Sequence, residues 1–249
     1  MRIGGITDIS TVDWYGNVSL VVFFAGCNFR CPYCQNSGLI PLDSGDDASL
    51  ELLQKRIEDG LNLIDAVVFT GGEPLLQPES LKEAAKLVKD YGLKLMLDTN
   101  GSIPSVVKQL LDLNLIDRVA LDLKAPLTAE EYRKAAGLQC KGETIIKGIR
   151  RTLELCNRSH IEIEARTTVA PTISDDSDFI RRIAQEIKGR CAVYYLQQFD
   201  NTGDVLSSKL KSMSPPPREK IIELAEAAIS EGLKDVYIKT RNMGLEKID

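Results

Sequence analysis

Histidine is nearly missing from this chain: His160 is the single example in 249 residues. Catalysis built on several imidazole acids and bases is therefore excluded, and His160, at the head of a strand-like run, reads as a surface residue. Positive charge is not in excess either. Lys and Arg number 31 against 36 Asp and Glu, for a net charge of −5, with no basic stripe for nucleic acid and no charged tail. No apolar run approaches the roughly 20 residues of a membrane helix. The N-terminal stretch MRIGGITDIS lacks a basic-then-apolar signal pattern. These absences predict a cytoplasmic protein with neither nucleic acid nor membrane as partner. Repeats, low-complexity tracts and a convincing linker are also lacking, so residues 1–249 are expected to form a single domain. Its core would span about residues 18–200, and a terminal helix and strand would fall within 215–240.

Cysteine is modest in number, six in all, but three are crowded together. Cys27-Asn28-Phe29-Arg30-Cys31-Pro32-Tyr33-Cys34 has the spacing C-x3-C-x2-C. It follows the apolar run Val18 to Ala25 and Gly26, so it sits on a loop leaving a strand. Soft thiolates this close select iron–sulfur clusters, zinc or Cu(I). A structural zinc site takes four ligands. A [4Fe–4S] cluster on three cysteines keeps one iron open to a ligand from solution. Disulfides do not suit an odd, crowded triplet without a secretion signal. Zinc with a remote fourth ligand stays open, although Cys140, Cys156 and Cys191 are scattered singly and read as core or surface thiols.

The rest of the chain alternates strands and helices. Strands are expected at 18–25, 66–69, 93–97, 118–123, 161–169, 193–196 and 236–238. Helices are expected at 49–60, 80–91, 105–113, 143–157, 178–188 and 217–231. Such alternation argues for parallel βαβ units: an α/β fold, here a partial (β/α)6 TIM-like barrel with short N- and C-terminal extensions. Residues 3–15 read as a β segment or hairpin ahead of it, 41–47 as a turn-rich linker and 201–217 as a connection. Function in such barrels collects where strands run into loops, and the polar outliers fall there. The second core strand meets Thr70-Gly71-Gly72-Glu73-Pro74, whose glycines let backbone approach a ligand and whose carboxylate can receive an ammonium. The third ends in Asp98-Thr99-Asn100-Gly101, the fourth in Asp122-Leu123-Lys124, and the fifth carries Arg166. Each alone would be a turn, a cap or an ion pair; together they ring one barrel mouth with mixed charge.

These residues carry a resemblance. CNFRCPYC is similar to the cluster loop of the radical S-adenosylmethionine (SAM) enzymes, with Tyr33 as the aromatic, and GGEP resembles their SAM-amine motif. DTNG followed by DLK looks like the glycyl-radical-enzyme activases within that superfamily. The resemblance implies a [4Fe–4S] cluster on Cys27, Cys31 and Cys34, and SAM held by Tyr33, Gly71, Gly72, Glu73, Asn100, Lys124 and Arg166. It further implies a monovalent cation, Na+ or K+, at Asp98, Thr99 and Asp122. No histidine stands in the Leu196-Gln197-Gln198-Phe199 run, where related activases often have one, so Gln198 is the expected substitute contact. One cluster is expected, since no cysteine lies between Cys34 and Gly71. On this reading Gly72→Val keeps the cluster but weakens SAM binding.

The implied chemistry is reductive cleavage of SAM to a 5′-deoxyadenosyl radical, which takes hydrogen from a glycine of a partner enzyme. No catalytic side chain beyond the cluster and SAM is required. Ferredoxin or flavodoxin would supply the electron. The pattern, VYYLQQF included, looks most like activators of anaerobic ribonucleoside-triphosphate reductase. An activase of a pyruvate formate-lyase-like enzyme, a radical SAM enzyme for another peptide or small molecule, and a non-catalytic electron-transfer or zinc module remain as alternatives.

Overall fold

Strands covered on both faces are built from apolar runs with few polar breaks, and SLVVFF, AVVFTG and KLMLDT are such runs. The computed structural model describes residues 1–139 and 142–249, so Cys140 lies outside the described residues. In chain order the elements are β1 (Arg2–Ser10), β2 (Ser19–Phe24), β3 (Asp46–Asp47), α1 (Leu50–Gly60), β4 (Ala66–Gly71), α2 (Pro78–Asp90) and β5 (Lys94–Thr99). Then come α3 (Pro104–Asp112), β6 (Arg118–Asp122), α4 (Ala129–Ala135), α5 (Gly142–Arg158), β7 (Glu162–Val169), α6 (Ser177–Ile187) and β8 (Val193–Gln198). The chain finishes with α7 (Ser208–Lys211), α8 (Arg218–Ser230), β9 (Val236–Thr240) and β10 (Gly244–Ile248).

All ten strands join one sheet in the order β10-β9-β8-β7-β6-β5-β4-β2-β1-β3. From β2 to β9 every neighbouring pair is parallel. Each of β2, β4, β5, β6, β7 and β8 is followed by helix before the next parallel strand. These are the six βα units expected, and β9 adds a seventh parallel strand. The antiparallel β1 and β10 flank them.

Helix starts follow their local chemistry. Ser49 caps α1 by accepting from Leu52 N, and proline opens α2 and α3, where its missing N–H costs nothing. The helices bury one apolar stripe each, for example Leu81, Ala84, Ala85 and Val88 of α2.

The sheet curls. Lys239 on β9 donates from Nζ to Val12 O at 2.9 Å, and Arg166 on β7 donates from Nη2 to Asp13 O at 3.1 Å. Val12 and Asp13 precede β2, so one connection bridges the two sides of the sheet. Within the curl, Trp14 packs on Val21, Ala66, Val68, Met96 and Ala120 as a small apolar cluster apart from the main core. Opposite it lies a buried charged network. Arg118 Nε and Glu164 Oε2 stand 3.2 Å apart as an ion pair, out of line for a hydrogen bond. Glu164 Oε1 accepts from Arg166 Nε at 2.6 Å.

Four features differ from the sequence reading, the smallest being the two-residue β3 inside the expected 41–47 linker. The short α4 is an added helix; its sequence AEEYRKA buries only Tyr132 and Ala135, too few to set a period. The β10 strand was not expected either, because its register to β9 comes from a hairpin and not from an apolar run. The 201–217 connection contains α7 and docks on the cysteine loop.

Candidate active site at the strand ends

The cysteine loop is fixed at its entry and along its length. Gly26 turns the chain with φ of +90°, a left-handed conformation open to glycine. Its amide donates to Leu39 O at 2.7 Å, and that of Cys27 to Ile40 O at 3.0 Å. Farther along, Arg30 N donates to Ala136 O at 2.9 Å, while Ser207 N and Leu206 N donate to Pro32 O and Cys34 O at 2.9 and 3.1 Å. So segments more than a hundred residues away hold the loop by its backbone. All three thiols line one cavity of about 270 Å³. Burial pushes Cys27 up to about 11 and Cys31 up to about 12, and raises Cys34 as well. Lone thiolates are disfavoured there; bound metal would supply the missing positive charge and expel the protons.

The donor set distinguishes among metal groups. Among the described residues no histidine and no fourth cysteine lines the cavity, and the five described cysteines are all free. Among the described residues, no three or more His, Cys, Asp or Glu side chains gather as a single ion requires. A closed zinc centre does not fit this arrangement. Three soft donors around one roomy cavity do fit a polynuclear cluster with an open corner.

The glycine motif is welded to the end of β2. Gly72 N donates to Phe24 O at 2.8 Å and Glu73 N to Gly26 O at 2.7 Å. A Cβ on Gly72 would come 2.1 Å from Gly26 O. Gly71 and Gly72 line the cavity with backbone, as expected, but Glu73 does not line it. Its carboxylate is fully buried and accepts from Thr99 Oγ1 at 2.7 Å, Asn100 N at 2.8 Å and Leu75 N at 3.1 Å. It clasps the third strand-end turn and is not positioned to receive an ammonium. Burial outweighs those three donors and pushes Glu73 up to about 7.

The charged residues come together as the sequence suggested. Asp98, Thr99, Asn100, Asp122, Lys124 and Arg166 all line the cavity. Lys124 Nζ donates to Asp122 Oδ2 at 2.7 Å, and Arg166 Nη1 to Asp98 Oδ2 at 3.2 Å. Burial works against both cations, yet the nearby carboxylates outweigh it and hold each above its ordinary range. Burial pushes Asp98 up to about 6 despite Arg166. The three residues expected to hold a monovalent cation are thus already engaged: Asp98 by Arg166, Asp122 by Lys124, and Thr99 by Glu73. Tyr33 lines the cavity as well, with a buried hydroxyl that has no hydrogen-bond partner among the described residues.

At the sixth strand the expected contact moves by one residue. Gln198 faces away from the cavity: its Nε2 donates to Pro216 O at 2.8 Å and its Oε1 accepts from Arg241 N at 2.9 Å. Gln197 lines the cavity instead, beside Thr168 and Lys239 in register across β7, β8 and β9. Strand alternation places successive side chains on opposite faces, and that parity is the signal that singles out Gln197. Lys239 carried a weaker cue, a charge within a short apolar strand. Asp13, which also lines the cavity, has none, because it sits in a loop.

Comparisons with known proteins bear on this geometry. A family model described as the radical SAM superfamily matches residues 21–183. A Methanocaldococcus jannaschii protein assigned as a glycyl-radical enzyme activating enzyme is 33% identical over 240 residues, 96% of each chain. The pyruvate formate-lyase-activating enzyme of Clostridium pasteurianum is 32% identical over 191 residues, 75% of this chain and 76% of that one. Among solved structures, a radical SAM methyltransferase from Sphaerobacter thermophilus superposes with a TM-score of 0.70. It is 14% identical and covers 91% of this chain and 67% of its own.

Proposed function

The chain belongs to the radical SAM superfamily, in its group of glycyl-radical-enzyme activating enzymes, and from that premise we propose how its residues divide the work. The superfamily's [4Fe–4S] cluster is held by Cys27, Cys31 and Cys34, and SAM fills the cavity in front of it. The observation that carries this reading is that three thiols, the Gly71-Gly72 backbone and a ring of mixed charge line a single cavity. When bound, the cluster supplies one electron that splits SAM into methionine and a 5′-deoxyadenosyl radical, which takes a hydrogen atom from a glycine of the partner enzyme.

The protein's own residues bind, orient and shield. The carbonyls of Gly71 and Gly72 suit the SAM ammonium. Lys124 and Arg166 are the fixed cations for its carboxylate and ribose. Asn100 and Gln197 add neutral donors, and the Tyr33 ring walls the adenine side. A monovalent cation at Asp98, Thr99 and Asp122 would have to take the place of Lys124 on Asp122. A second cavity of about 210 Å³, with Val12, Tyr15 and Leu245 on its walls, shares Asp13, Arg166, Gln197 and Lys239 with the first. It supports a polypeptide substrate by offering a chain segment room beside the shared residues.

For the partner, we put anaerobic ribonucleoside-triphosphate reductase first, on the VYYLQQF run. The clostridial relative favours a pyruvate formate-lyase-like enzyme as the second reading. Ferredoxin or flavodoxin is the reductant. The test is anaerobic: the reduced protein and SAM are mixed with each candidate partner, and a glycyl doublet is sought by EPR. The doublet is expected with one partner only. SAM cleavage that persists in Cys31→Ala would overturn the ligand assignment.

A further inference from the structure

The cavity lies on one side of the cysteine loop; the other side faces solvent between two short helices. On one flank Arg30 N is bonded to Ala136 O, just past α4, and a Cβ on Gly137 would stand 2.0 Å from Arg30 O. On the other, the chain leading into α7 donates to Pro32 O and Cys34 O. Ser37 Oγ donates to Asp204 Oδ2 at 2.8 Å and Gln35 Nε2 to Asp200 O at 3.0 Å along the same seam. Both helices are therefore fastened to the loop itself.

Most of their exposed charged side chains are basic: Arg133 and Lys134 on α4, Lys209 and Lys211 on α7, with Arg30 exposed between them and Glu130 the one exposed acid on α4. Of the neighbouring acids three are paired with cations, while Asp204 accepts only from Ser37 Oγ among the described residues and leaves one exposed carboxylate on the seam. Glu130 pairs with Lys134 at 3.0 Å, Glu131 with Arg182 at 2.5 Å and Asp200 with Arg241 at 3.7 Å. Arg30, Arg133, Lys209 and Lys211 are left without a carboxylate partner among the described residues. On a chain of net charge −5, this face is a local exception.

We propose that this basic face docks an acidic one-electron carrier of the flavodoxin or ferredoxin class. The inference rests on the reading that Cys27, Cys31 and Cys34 hold a redox cluster. One electron leaves the carrier, whose flavin or iron centre is oxidised by one step, and enters the cluster; no bond or proton moves. The placement follows from the fold. An approach from the cavity side is blocked once SAM is seated, whereas the outer side presents the ligand loop directly. Complementary charge speeds encounter and makes it sensitive to salt.

The experiment uses cluster-loaded protein and the triple variant Arg133→Glu/Lys209→Glu/Lys211→Glu, sparing Arg30 because its Nη1 holds Cys27 O at 2.7 Å. Binding of flavodoxin is measured by titration at low salt and at high salt, and dithionite-driven SAM cleavage is measured alongside. The expected result is a flavodoxin affinity lowered on the order of tenfold or more in the variant. Salt should bring the unaltered protein to a similar value, and dithionite-driven cleavage should be unchanged. Affinity indifferent to both charge reversal and salt would overturn the proposal. So would a variant that cleaves SAM with dithionite but no longer forms the glycyl radical, since the face would then serve the glycine-bearing partner. Failure of the unaltered protein to cleave SAM with dithionite would instead sink the proposed function beneath it.

Discussion

A carboxylate with no exposed surface loses its hydration, and that loss favours the protonated form. Glu73 is in this position: three donors reach it, yet burial pushes it up to about 7 from an ordinary 4.5. The folded protein then holds a proton more tightly than the unfolded chain does. Its contribution to stability is complete below pH 4.5 and is lost as pH rises through 7. The size is on the order of 3 kcal/mol at full loss. Glu73→Gln cannot titrate, so denaturant unfolding of the cluster-free protein should fall less steeply from pH 5 to pH 8 than in the unaltered chain. Identical slopes would show that Glu73 stays ionised throughout.

Between elements, one close backbone approach at the site joins the end of β2 to the turn after β4. A Cβ at Gly72 would meet Gly26 O at 2.1 Å and Leu39 O at 3.2 Å, and Gly26 directly precedes Cys27. This contact argues against the expectation that Gly72→Val spares the cluster, because a side chain there pushes on the cysteine loop. Gly72→Ala should lower iron and sulfide content together with SAM affinity, as assayed on reconstituted protein. Full iron content with SAM binding alone impaired would mean that the loop absorbs the clash. The example shows what was legible in the sequence. Parallel strands announced themselves through VVFF, AVVF and KLML, and strand ends through GGEP, DTNG and DLK, because burial on both faces and turn chemistry are local. Direction of side chains was less legible. Glu73 turns inward because its partners are Thr99 and Asn100, residues brought near only by the sheet. Gln198 loses its place to Gln197 because the parity of β8 is set by pairing with β7 and β9. Asp13 and the docking of 204–207 on the cysteine loop depend on contacts across most of the chain, which no short motif records.

Taken whole, the curled sheet holds two unlike interiors. Under the β2–β6 side, Trp14 covers Val21, Val68, Met96 and Ala120. Toward β7–β9 the interior is charged, with Arg118, Glu164, Arg166 and Lys239 fixed to one another or to the 12–13 backbone. The same short connection thus supplies the apolar plug, at Trp14, and two carbonyls that anchor the charged side, at Val12 and Asp13. A site that has to keep Arg166 aimed at Asp98 benefits, since the guanidinium is held from three directions: Glu164, Asp98 and Asp13 O. Trp14 is 5% exposed, and its removal leaves a void that Val, Met and Ala side chains cannot close. Trp14→Ala should cost about 3–5 kcal/mol of unfolding free energy, read by urea titration of the cluster-free protein. Trp14→Phe should recover much of it, since a smaller ring still covers Val68 and Met96. The connection's carbonyls shift with the plug, so Trp14→Ala should also weaken SAM binding without altering iron content. A loss below about 1 kcal/mol, within the range of surface substitutions, would show that the plug is dispensable and that the charged side alone keeps the curl.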